Sequence, residues 1–140
     1  MTTAELPVTI AELSRFHAEN KLLLLAHSEA GMRRLGRLVA NAERLPAETV
    51  ARLYRRGFDD AMSRPARRGG VVNALLHGFG VVTETLSAES RALFLGLVEA
   101  YAARSITSEE PRALLRQWAA DAGEGWLAAQ TLLDVEVEVA

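Results

Sequence analysis

The chain has 140 residues, the length of one domain, and its 49% hydrophobic and 24% charged residues are those of a globular protein with a buried core. It has no cysteine, which excludes disulfides, thiolate nucleophiles and a self-held iron–sulfur cluster. The net charge of −2 excludes a uniformly basic surface, and no apolar run approaches the ~18 residues of a membrane span.

Met1 to Pro7 lacks a basic region followed by an apolar run, so no signal peptide is expected and the expected compartment is the cytoplasm. The charge is segregated along the chain. Glu29 to Arg68 carries ten arginines against five acids, and the remainder carries six basic against thirteen acidic groups. Such a segment is either a set of solvated helix faces or a surface for a polyanion.

Helix punctuation divides the chain. The first helix is predicted from near Thr9 to about Ser28 and holds the longest apolar run, Leu22 to Ala26. At about 100° per residue Leu22, Leu23, Leu24 and Leu25 point in four directions, so this helix is expected to be buried all round. A second helix spans about Glu29 to Glu43, with Met32, Leu35, Leu38 and Val39 on one face and a Gly36 that predicts a close helix contact. Pro46 opens a third, which carries Val50, Leu53, Tyr54, Phe58, Ala61 and Met62 to about Ser63. Arg64 to Gly70 reads as a loop. A fourth helix follows from about Val71 to Thr85, and its Gly78 and Gly80 predict close packing.

Ser87 is expected to cap a fifth helix, with Leu93, Phe94, Leu97, Val98 and Tyr101 inward. Ser108 is expected to cap a sixth, with Leu114, Leu115 and Trp118 inside. Gly123 and Gly125 break it. Trp126 to Leu133 forms a last short helix, and Asp134 to Ala140 is expected to be a frayed tail. The fold class is therefore all-α: one compact bundle of about six helices, a single domain over residues 1–140 with its core at about 9–133.

Polar groups on the buried helices need partners. His17, Lys21 and Ser28 fall on one stripe of the first helix, close to His27, and Asn73 and His77 share a face of the fourth. If the stripes face each other, these six residues line one polar cleft. Otherwise each group ties a loop carbonyl or caps a neighbouring helix. His17, His27 and His77 would offer a metal three imidazoles, but no pair has a tight ligand spacing and Lys21 beside them repels a cation, so neither metal nor cofactor is expected. No nucleophile elbow, Walker or dinucleotide glycine pattern is present.

Anion binding fits better. Arg67, Arg68, Gly69 and Gly70 immediately precede the fourth helix, whose N-terminus offers free N–H groups and the positive end of the dipole. Arg52, Arg55 and Arg56 recur on the third helix. Contacts of this kind hold phosphates without reading sequence.

The pattern resembles the YbgA-like family of bacterial domains. The residues that carry the likeness are Phe16-His17-x-x-x-Lys21-Leu22, Leu25-Ala26-His27-Ser28, Leu35-Gly36, Asn73-x-x-x-His77-x-x-Gly80, Tyr101 and Trp126-Leu127-x-x-Gln130, over about Ser14 to Leu132. Members occur alone and fused behind a cysteine-rich desulfidase domain that removes sulfur from thiouracil-type bases. The resemblance implies a domain that helps to engage thiolated RNA. The chain departs from the family pattern at Val71, where a histidine is usual, and at Met32, Val81, Val82 and Leu132, where aromatics are usual. Each lost aromatic removes a base-stacking platform.

The leading expectation is a non-catalytic nucleic-acid-binding or accessory domain, engaging tRNA or thiolated RNA beside a desulfidase-type protein. A structural protein-interaction module ranks second. A small enzyme or ligand-binding domain for an anionic small molecule ranks third, with Lys21 holding an oxyanion and a histidine moving a proton. The ligand and the oligomeric state are not legible in the sequence.

Overall fold

The structure is a computed structural model and describes residues 9–140. The Met1 to Pro7 segment, on which the signal-peptide expectation rests, lies outside the described residues. Those residues form eight α-helices and no strand: α1 (Ile10–Glu19), α2 (Lys21–His27), α3 (Glu29–Ala40), α4 (Ala47–Ser63), α5 (Arg68–Val82), α6 (Ala88–Ala102), α7 (Glu109–Ala122) and α8 (Gly125–Ala128). Short 3-10 turns follow α3, α5 and α8. No helix among them is long and apolar enough to cross a membrane.

The helix expected over Thr9 to Ser28 is two helices. Thr9 caps the first through the Glu12 N–H, and the chain turns out of helical geometry at Asn20 (φ −109°, ψ 9°). The cause is a side chain from far along the sequence. Gln130 is fully buried, and its Oε1 accepts the Leu22 N–H at 3.1 Å while its Nε2 donates to the Ala18 carbonyl at 2.6 Å. In an unbroken helix those two backbone groups would bond each other. The amide takes both and so splits the ladder without leaving either group unpaired.

α2 is the central element, and Leu22 to Ala26 are all buried. Leu22, Leu23, Leu25 and Ala26 pack into a core with α5, α6, α7 and α8, where Phe79 stacks on Phe94 at 4.4 Å. Leu24 faces a second core, built by Leu13, Phe16, Leu35, Val50, Tyr54 and Phe58 of α1, α3 and α4. Burying each leucine contributes roughly 1.5–3 kcal/mol, so this short helix is held from both sides.

α2 and α5 run antiparallel, with Gly70 against Ala26 at one end and Gly78 against Leu22 at the other. A Cβ on Gly70 would stand 2.4 Å from the Ala26 carbonyl oxygen, so the crossing requires glycine there. The close contact expected at Gly80 is absent, because no atom lies within 4 Å of a Cβ at that position.

Other boundaries move for physical reasons. α5 begins at Arg68, so Arg68, Gly69 and Gly70 form its first turn rather than a loop. Leu93 and Leu53 were expected inside, but they are 53% and 37% exposed, because Phe94 and Tyr54 take the inward positions beside them. Ser87 caps α6 by accepting the Ser90 N–H at 3.0 Å, as expected. Ser108 makes no side-chain cap for α7; its hydroxyl donates to Glu136 at 2.8 Å instead.

That bond belongs to the largest correction. The tail is docked, not frayed. Val137 is buried, Ala140 N–H donates to the Ala66 carbonyl at 2.8 Å, and Val139 bridges Ala66. The alternation of Val and Glu turns the valines inward and gives Glu136 to Arg112. Arg112 is itself buried, donating to the Ser108 hydroxyl at 2.8 Å, the Leu133 carbonyl at 3.0 Å and the Glu136 carboxylate at 3.0 Å. Burial alone would raise the Glu136 carboxyl, but the Ser108 and Arg112 hydrogen bonds outweigh it and hold the carboxyl below its ordinary range.

Candidate functional site

A solvent-open groove of about 520 Å³ lies where α2 ends, α3 begins and α4 hands over to α5. It is lined by His27, Ser28, Arg64, Arg67, Gly69 and Asn73, with Ala140 of the docked tail also on its wall. The buried run of α2 delivers His27 and Ser28 to this place. The tight α2–α5 crossing at Gly70 brings the start of α5 against them.

Several of the lining groups have a defined local role. His27 Nδ1 donates to the Arg64 carbonyl at 2.9 Å, which fastens the α4–α5 connection to the end of α2. The Ser28 hydroxyl oxygen caps α3 by accepting the Gly31 N–H at 3.0 Å. Arg67 is the N-cap residue of α5 and is exposed; Arg64 is exposed and 3.6 Å from Asp60. Glu29, the acid on the wall, is paired with Arg33 at 2.5 Å. The N-termini of α3 and α5 both open here, so two positive dipole ends add to the arginines.

Of the six residues expected to share a cleft, the groove gathers His27, Ser28 and Asn73. The other three lie elsewhere. The His17 ring sits between α3 and α4, with Nε2 against Gly36 and Nδ1 3.0 Å from the Tyr54 hydroxyl. Tyr54 is fully buried and burial pushes its phenol above the ordinary range, so the hydroxyl keeps its proton and shares a hydrogen bond with Nδ1. Burial first, and then the Lys21 charge, lower the His17 pKa from its ordinary 6.5. Lys21 and His77 are exposed and are absent from the groove wall. An i, i+4 pair shares a helix face, but different neighbours meet that face along its length.

The anion-binding residues divide as well. Arg67, Gly69 and Gly70 line the groove. Arg68 turns inward, donating to the Tyr101 carbonyl at 3.0 Å with its guanidinium 4.7 Å from the Tyr101 ring centre. Arg52 and Arg55 line a separate shallow cleft of about 300 Å³ on α4, and Arg56 is exposed. At 1.5 Å per residue Arg55 lies roughly 14 Å along the axis from Arg64. Arg64 was legible only as part of a loop, and its place in the groove comes from the His27 bond. The three histidines do not converge, and among the described residues no group of three or more His, Cys, Asp or Glu is placed to hold a metal.

Fold and groove together define a small all-helical domain with an arginine-lined, open groove at a helix crossing. The chain belongs to the family described as Protein of unknown function (DUF1722), which it matches over residues 21–135 and which includes the YbgA-like domains. His17 precedes the matched span, whereas His27, Ser28, Arg64, Arg67 and Asn73 fall within it. No curated protein and no solved structure matches the chain.

Proposed function

We propose that this chain is a non-catalytic nucleic-acid-binding or accessory domain that seats the phosphate backbone of an RNA, tRNA in particular, in the His27–Arg64–Arg67–Asn73 groove. In this reading it works beside a desulfidase-type protein on thiolated RNA. The observation that carries the reading is the groove itself: two exposed arginines, two helix N-termini and neutral polar groups share one open surface, and its one acidic side chain is already paired. An open groove suits a long ligand that enters and leaves along its length. Arg33, Arg34 and Arg37 line an adjoining cleft on α3 and extend the basic surface.

Phosphate contacts make affinity fall linearly in log–log form as salt rises. Gel-shift titration with bulk tRNA at 50 and 200 mM salt is the test. Affinity is expected to fall steeply between them. The double variant Arg64→Gln, Arg67→Gln is expected to bind ~10-fold more weakly, with the salt slope reduced by about 2. Binding that is absent, or indifferent to salt, refutes the reading.

A further inference from the structure

We infer that His27 is a specificity residue that selects ribose over deoxyribose through a hydrogen bond from a 2′-hydroxyl to its Nε2. The inference rests on the RNA-binding reading above and names what that groove recognises. A carbonyl oxygen only accepts, so the 2.9 Å contact with Arg64 fixes the proton on Nδ1. The neutral ring then carries a bare lone pair on Nε2. That atom makes no hydrogen bond among the described residues, and the ring lines the groove.

An acceptor in this position is out of keeping with its surroundings. Arg64 and Arg67 offer N–H donors, which suit phosphate oxygens. A lone pair repels those same oxygens, so Nε2 is of use only to a ligand that brings a donor close to its phosphate. Along a nucleic-acid strand the donor nearest the phosphate is the ribose 2′-hydroxyl, and DNA lacks it. The arginines hold either kind of strand, and His27 tells them apart.

The test titrates the full chain with one fluorescein-labelled single-stranded 12-mer made as RNA, as DNA and as 2′-fluoro RNA. Anisotropy is read at pH 8. The 2′-fluoro strand keeps the sugar pucker of RNA but brings no donor, so the wild-type comparison does not depend on the folding of any variant. RNA is expected to bind up to ~10-fold more tightly than the other two, the scale of one net hydrogen bond. In His27→Phe the RNA-to-DNA ratio is expected to fall to about one, with a circular-dichroism melt confirming the fold. Equal binding of RNA and 2′-fluoro RNA overturns the inference, and so does a ratio that survives in His27→Phe. Salt-dependent binding without discrimination would defeat the inference and leave the earlier reading standing. Failure to bind any of the strands defeats the inference, and defeats the earlier reading as well where bulk tRNA also stays unbound.

Discussion

His17 and Gly70 show how much a single position decides. Burial of the His17 ring, and then the Lys21 charge, favour its neutral form. The unfolded chain takes up a proton at a pH where the folded chain does not, so the stability tied to His17 is complete above 6.5 and is lost as pH falls below that value. Thermal melts at pH 8 and pH 5.5 check this. Tm is expected to fall in acid, and the fall is expected to shrink in Lys21→Met, where the second cause is removed. Residues of one type also differ sharply by place. Gly70→Ala drives a methyl group into the Ala26 carbonyl and is expected to cost ~2–3 kcal/mol or more, whereas Gly80→Ala meets open space in a helix and is expected to gain ~0.5–1 kcal/mol. Denaturant midpoints of the two variants, moving in opposite directions, are the check.

Among the elements, the sequence pattern is informative where local chemistry decides and silent where a distant partner does. The all-round burial of Leu22 to Ala26 follows from helical geometry and an unbroken apolar run, and the cap at Ser87 follows from a hydroxyl that meets its own helix. The break at Asn20 is not legible, because the amide that makes it belongs to Gln130. Nor is the docking of the tail. Val and Glu alternate there, which suits a strand or a loose end, and distant partners, Arg112, Ser108 and Ala66, turn the pattern into a fixed segment. Arginine on a helix is ordinarily a surface residue, so nothing in its neighbours marks Arg112 as interior. The candidate site divides in the same way. His27, Ser28, Arg67 and Gly69 sit at chain positions where a helix ends or begins, and they meet. His17 and His77 sit within helices, and spacing alone does not say which neighbour each one faces.

The whole molecule has two cores, and α2 gives buried residues to both. Leu24 packs with α1, α3 and α4, while its neighbours on α2 pack with α5 to α8. The two halves are therefore expected to unfold together. Leu24→Ala is expected to cost ~2–5 kcal/mol. Although Leu24 lies in the core of α1, α3 and α4, the variant is expected to shift the tryptophan signal as far as it shifts the circular-dichroism signal. Trp118 packs against the other core, so a fluorescence midpoint that stays in place would show the halves to be independent.

The amide of Gln130 also bears on the order of assembly. Leu22 and Gln130 stand 108 positions apart in the chain. On a ribosome, therefore, the junction between α1 and α2 closes only once Gln130 has emerged, and two helices made early wait on an amide made much later.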